Sequence, residues 1–452
     1  MISQLLAIAR NALVESVRQP IVLLLILGCG VLQVFNTWNT GFSLGMEESA
    51  EVSGDNKLLF DIGLATIFVV GTLLAGFIAT SVMSREIENK TVLMVVSKPV
   101  GRPTLVLGKF IGVAVALVVS LVIMLVFLLL AIRHGVMSTA ADEIDGPVVA
   151  FGVGAVAVSL ALAGWGNFFY GWSFPQASVL LLLPLSVVGY LGVLLLDKHW
   201  SVQPLMKDFR PQLLVACLCL SMAVLVLASV ATAASTRLSQ VPTILTCLGV
   251  FVASLLANYV LGRHVFSNEL VGVIAGSRPL EADRATLANA GDEFMIRLDQ
   301  PPAKPVYPGQ AFYYGPSPNG FPLVPSETYS AYTGDLADTN AMLGPGAPSA
   351  LIVTESIGQL LRVRNIGEAG VTLYRPPESG DFVFATPTST NKAVLVAWGA
   401  IPNMQYYWLL DAVSQNRAVP GSYVASAGVY SLFQITAFLS LAVVLFQRRD
   451  VS

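Results

Sequence analysis

Residues 85–110 read REIENKTVLMVVSKPVGRPTLVLGKF. Arg85, Glu86, Glu88, Lys90, Lys98, Arg102 and Lys109 crowd into this stretch, in a chain where only 12% of residues are charged. Apolar runs flank it, at about 62–83 and 105–132, each long enough as a helix to cross a hydrocarbon layer of about 30 Å. The charged stretch therefore reads as a water-facing loop between two membrane helices. Its interior, Thr91 to Val96, is nonetheless apolar, so the loop has a face that wants covering. That combination reads as a docking element for a cytoplasmic partner.

The same reading extends to the whole chain. Hydrophobic residues make up 55% of the sequence, and mean hydropathy is +0.71, more than a soluble core needs. The net charge of −3, without a long run of one sign, gives no electrostatic footprint for nucleic acid. Cys29, Cys217, Cys219 and Cys247 all fall inside apolar runs, which implies neither a disulfide framework nor a CxxC metal pair.

Working outward, residues 1–19 place Ile2, Leu5, Leu6, Ala9, Leu13 and Val17 at helical spacing among polar residues, the pattern of an amphipathic interfacial helix. Membrane spans are expected near 20–35, 62–83, 105–132, 148–169, 177–196, 213–234 and 241–261, with a last one at 425–446 and a short tail, 447–452. Lys109, near the start of the third span, is expected to snorkel to the surface. Gly108 and Gly112 form a GxxxG, which implies close helix packing. The stretch GWGNFFYGWSFPQ between the fourth and fifth spans reads as an aromatic interface belt. The basic residues do not orient the chain, because Lys198, Lys207 and Arg210 fall on the side opposite the other basic loops.

Residues 263–424 form the one large polar region, extracytoplasmic if there are eight spans. A helix is expected at 280–290 and a strand at 294–298. Between Pro301 and Pro325 eight prolines alternate with aromatics, which predicts an extended surface segment, either a ligand-binding aromatic face or a stiff wrap around the domain. ALIVT, LLRVRN, GVTLYR, DFVFAT and AVLVAW, beginning at Ala350, Leu360, Gly370, Asp381 and Ala393, predict a small antiparallel β unit. The fold class is thus mainly α: a polytopic helical membrane protein of about eight spans, with a small β-rich or α+β extracytoplasmic domain.

Motifs of chemistry are missing from the sequence. Gly101 and Gly108-Lys109 are spaced by six residues and followed by Phe110, which is not a phosphate-cradling loop. His134, His199 and His264 each follow a basic residue at the end of an apolar run, where interfacial anchoring explains them. No acidic or basic side chain falls at the middle of an expected span; Asn258 and Gln434 are the polar candidates there, as interhelical hydrogen bonders. An ion-gradient carrier normally needs ionisable groups at that depth, so energy has to come from elsewhere.

The loop resembles the segment between the second and third spans of type-2 ABC exporter permeases, in which an acidic residue, a Thr, a "skPvsR" run and a "lGK" recur. Glu86 or Glu88, Thr91, Ser97, Lys98, Pro99, Arg102, Gly108 and Lys109 occupy those places. SVATAASTRLSQ is similar to the family's Ser-Thr turn, LFQRRDVS to its cytoplasmic ending, and Ile401 to Val424 to the stretch before its last span. The chain departs from the usual six spans by two extra ones, at 148–196. The resemblance implies a permease subunit of an ATP-driven exporter in a bacterial inner membrane, with both termini cytoplasmic. It implies as partners an ABC ATPase, a second permease chain and the lipid bilayer, and no cofactor of its own, ATP and magnesium being held by the ATPase. The coupling loop is placed at 85–104, and the ATPase contacts implied are Arg85, Glu86, Glu88, Thr91, Val92, Val95, Lys98, Pro99 and Arg102. The alternative is a non-transporting membrane anchor that presents an extracytoplasmic interaction domain.

Overall fold

The computed structural model describes residues 2–39, 48–88, 101–137, 143–281, 287, 289–409 and 418–448, and of residues 48–56 and 84–88 the backbone alone. Among these, eight helices are long and apolar enough to cross a membrane: Pro20–Asn39, Lys57–Met83, Arg102–His134, Gly146–Tyr170, Phe174–Leu194, Pro211–Ser235, Gln240–Val265 and Gly421–Gln447, numbered here as spans 1 to 8. They match the eight expected apolar runs, and most extend a few residues further at their ends. The reason is local. In lipid each backbone N–H and C=O must be satisfied within its own helix, so apolar length alone fixes where a span lies. The chain is a multi-pass membrane protein.

The chain divides into two compact units, residues 1–255 with 402–452, and residues 256–401. In the first unit, spans 2, 3 and 6 form the centre, being 67, 61 and 67% buried, while spans 4 and 8 are only 22 and 28% buried. Small residues permit this packing where no hydrophobic drive exists between helices. A Cβ on Gly71 of span 2 would stand 3.0 Å from Val224 of span 6. Hydroxyls buried in these spans return to their own helix, as in Thr72 to Phe68 O, Ser120 to Ala116 O and Thr232 to Ala228 O, each at 2.8–2.9 Å. Spans 4 and 5 form a hairpin whose turn is capped by Gly171 at φ +68°, a left-handed position that favours glycine. Trp165, Phe168, Phe169, Tyr170 and Trp172 are exposed around this turn, and Trp165 and Phe169 lie with ring centroids 4.5 Å apart.

The second unit is built on six antiparallel strands in the order β4-β7-β2-β3-β6-β5. These are β2 (Leu270–Pro279), β3 (Glu293–Leu298), β4 (Tyr313–Gly315), β5 (Ala350–Ile357), β6 (Leu360–Ile366) and β7 (Phe382–Phe384). A two-stranded ribbon, β1 (Phe266–Ser267) with β8 (Ser389–Thr390), stands apart from them. Phe294, Ile296 and Leu298 of β3 and Leu361 and Val363 of β6 alternate into one core with Leu351 and Val353.

Several sequence expectations change here. The proline-rich stretch is not confined to the surface: residues 309–315 curl the sheet onto itself. Gly309 N and Phe312 N donate to Val353 O and Leu351 O of β5 at 2.7 and 2.9 Å, and Tyr313–Gly315 pairs with β7. Phe312, Tyr313 and Tyr314 are consequently among the most buried side chains, so they offer no aromatic face to a ligand. Pairing with two strand edges outweighs the prolines, which flank the paired residues. GVTLYR forms no strand; its Val371 N donates to the buried Asn365 side chain at 2.8 Å. AVLVAW lies in a helix, Lys392–Ala400, because Asn391 accepts from Ala393 N and Val394 N at 3.2 and 3.3 Å and caps it. Leu280, Leu287, Asn289 and Ala290 are not helical, and residues 282–286 and 288 of that expected helix lie outside the described residues.

Candidate functional site

The base of the 85–101 loop is a junction of five elements. Met83 of span 2, Leu105 and Val106 of span 3, Ala233 of span 6 and Ala442 and Phe446 of span 8 form one buried cluster, with Ile8 of the N-terminal helix Ile2–Val17 against it. The N-terminal helix lies across span 3. Added to Gly108, a Cβ would come 2.9 Å from Ile8 Cβ; on Gly112 it would come 2.4 Å from Ala9 O and 2.6 Å from Ala12 Cβ. The GxxxG is thus a seat for this chain's own N-terminal helix. That helix buries Ala9, Ala12, Ser16 and Val17 and leaves Ile2 and Leu6 exposed.

Polar ties reinforce the junction. Lys109 Nζ donates to Val82 O of span 2 at 2.6 Å, with the side chain 4% exposed. It therefore does not snorkel to open water, since the N-terminal helix roofs it and a backbone carbonyl receives the ammonium. Lys109 lines a cavity of about 240 Å³ with Asn11, Glu15 and Val82. Gln19 donates to Ser81 of span 2. Arg18 Nε donates to Gln176 Oε1, at the start of span 5, at 2.9 Å.

Of the residues expected to meet an ATPase, Arg102 alone has a described side chain. Its Nη1 donates to Gln447 O at the end of span 8 at 2.7 Å, and its guanidinium stands 5.9 Å from the Phe446 ring centroid. Arg85, Glu86 and Glu88 lie in the last turns of the helix Glu48–Glu88, and their side chains fall outside the described set. Thr91, Val92, Val95, Lys98 and Pro99 lie wholly outside the described residues. Among the described residues, Lys109 ties the two stems of the loop to each other and Arg102 ties the start of span 3 to the end of span 8.

At the opposite end of this unit is a cluster that the sequence reading did not single out. Arg133, closing span 3, places Nη1 2.7 Å from Asp145 Oδ2, donates from Nη2 to Leu196 O at 3.2 Å, and has Nε 3.0 Å from Asp208 Oδ2. Asp145 is fully buried and also caps span 4, accepting from Val148 N at 3.2 Å. Asp197 stands further off, at 3.9 Å; the backbone N–H of Lys198 leads in holding its carboxyl below the usual range, and nearby basic groups assist. One arginine thus ties span 3 to the 4–5 hairpin and to the loop after it. The signal for it was Arg133 and three Asp, visible only once all four are known to share one end of the spans.

The stretch before span 8 folds back into the same unit. Met404 and Tyr407 are buried. The Tyr407 hydroxyl lies 2.8 Å from that of Ser431, and Asn403 N donates to Tyr430 Oη at 3.0 Å. Burial raises the Tyr407 phenol above its ordinary value, with the Ser431 hydrogen bond opposing. Gln434 donates to Tyr430 Oη at 3.2 Å, one turn away in its own span rather than between helices as expected. A larger apolar cavity, about 640 Å³, lies between spans 1, 3 and 4, walled by residues such as Val34, Phe127 and Val153. Among the described residues no three His, Cys, Asp or Glu side chains are grouped to hold a metal ion.

Residues 6–165 match the model of the family described as ABC-2 family transporter protein. The matched stretch runs from the N-terminal helix into span 4 and contains the loop and the part of the junction that the N-terminal helix and spans 2 and 3 supply, which supports a type-2 ABC transporter permease. No curated protein and no solved structure matches the chain.

Proposed function

We propose that this protein is a type-2 ABC permease, the membrane-spanning subunit of an ATP-driven exporter in a bacterial inner membrane. It works with a separate ATPase, which holds the ATP and magnesium, and with a second permease chain. Both termini and the 85–104 loop face the cytoplasm, and the β unit faces outward. The loop docks on the ATPase, with Val92 and Val95 buried in the contact, Thr91 and Pro99 beside them, and Arg85, Glu86, Glu88 and Lys98 orienting it. Closure of the ATPase dimer moves the loop. The ties at its base then carry that motion into spans 2 and 3 and, through Arg102 and Gln447, into span 8.

The observation that carries this reading is the family match over the segment that contains the loop. The junction supports it, because Lys109 bonds the loop's two stems to each other and Arg102 bonds the second stem to the end of span 8. The test is co-purification from detergent-solubilised native membranes, wild type beside a variant with residues 92–96 replaced by Ser. An ATPase that accompanies wild type and is lost from the variant is the expected result. If no ATPase accompanies wild type and the captured partners bind residues 267–397 instead, the anchor reading replaces this one. In the reconstituted complex, Arg102→Ala and Glu86→Ala should each keep ATP hydrolysis while losing transport.

A further inference from the structure

We infer that the helix Lys392–Ala400 lies in the bilayer interface and holds the β unit to the membrane surface. From Ala393 to Ala400 the helix reads AVLVAWGA, without a charge or a hydrogen-bonding side chain other than the Trp398 indole. None of its residues is buried; Val396 is 72% exposed, and Leu395 is exposed beside it. An apolar helix left this bare is not what a surface facing water carries. At nine residues it is also far short of the roughly 20 needed to cross a membrane.

Its depth follows from what it packs on. Trp398 Nε1 donates to Asn258 Oδ1 at 3.0 Å, and the indole lies so close to Gly262 that a Cβ there would stand 3.4 Å from it. Asn258 and Gly262 bound a π-helical turn in the last part of span 7, a helix apolar and long enough to cross the membrane. The end of such a helix sits at the edge of the hydrocarbon, and so does whatever packs on it. The same turns leave Tyr259 and Val260 exposed, and the Arg263 guanidinium stands over the Tyr259 ring at 4.6 Å. Lys392 opens the packed helix. Aromatic rings beside basic side chains at the end of an apolar helix mark a membrane–water interface, so the surface of span 7 and that of the short helix form one continuous lipid-facing patch. The inference rests on the spans alone and is independent of the exporter reading.

The test uses the full chain in liposomes, with a nitroxide on Val396→Cys and, for reference, on Tyr374→Cys, a position exposed on the β unit. The four native cysteines are buried. Relaxation is compared with oxygen, which concentrates in the bilayer, and with a water-soluble nickel chelate. The expected result is an oxygen-to-nickel ratio several-fold higher at 396 than at 374. Equal ratios would place the helix in water. Shielding of 396 from both reagents would mean that a protein covers it, a second copy of this chain included. Either outcome overturns the inference, and Leu395→Cys repeats the measurement should Val396→Cys not fold.

Discussion

Asp145 offers the sharpest test of how the end of the bundle away from the 85–104 loop is held. Its carboxylate has two jobs: it pairs with Arg133 at 2.7 Å and caps span 4 through Val148 N. Asp145→Asn separates them, because asparagine caps a helix as well as aspartate but leaves the arginine without its buried partner. Breaking a buried pair costs about 3–5 kcal/mol, since the remaining charge stays desolvated. Asp208 remains 3.0 Å from Nε, so a loss at the lower end, about 3 kcal/mol, is expected. Asp145→Ala removes the cap too and adds about 1 kcal/mol. Reversible unfolding in mixed micelles of rising SDS fraction measures both, with Asp197→Ala, 3.9 Å from the guanidinium and partly exposed, expected to have no measurable effect. Adding Arg133→Met to Asp145→Asn removes the stranded charge and should recover most of the loss. If Asp145→Asn is as silent as Asp197→Ala, or if Arg133→Met recovers nothing, the pair does not hold this end.

Gly112→Ala places a Cβ 2.4 Å from the Ala9 carbonyl; it should destabilise the solubilised protein by about 1–3 kcal/mol as the N-terminal helix is pushed off span 3. Gly28→Ala, with nothing within 4 Å, should leave the melting temperature unchanged or raise it. Tyr407→Phe removes a buried hydroxyl pairing with Ser431 and should cost about 1 kcal/mol in the same assay. In the β unit, burial raises the phenols of Tyr313, Tyr314 and Tyr329 above their ordinary value. The unfolded chain loses these protons at about pH 10 while the folded one keeps them, so stability is undiminished below pH 10 and falls as pH rises above it. Denaturant unfolding across alkaline pH, read beside phenolate absorbance, should show this fall, and a flat profile would contradict it.

The residues that link distant parts of the chain divide what was legible in the sequence from what was not. Gly108 and Gly112 announced a close helix contact, but nothing local said that the partner was the chain's own first helix. Arg133 pairs with Asp145 and Asp208, and only the bundle's fold brings these onto one side chain. AVLVAW has strand-like residues, and one capping residue, Asn391, together with packing on the end of span 7, made it a helix. The prolines of 301–325 predicted exposure, yet two strand edges needed pairing, and residues 309–315 satisfy both.

By itself the sequence determined the eight spans, the polar region between the last two and several of its strands. In a membrane each span must satisfy its own hydrogen bonds, and in an alternating strand the burial pattern is written every second residue, so both signals are local. Tertiary structure alone decided which helices meet, where Lys109 and Arg133 find their partners and how the sheet closes. Those choices depend on pairings between groups far apart in the chain, whose energies exist only after the fold has brought them together.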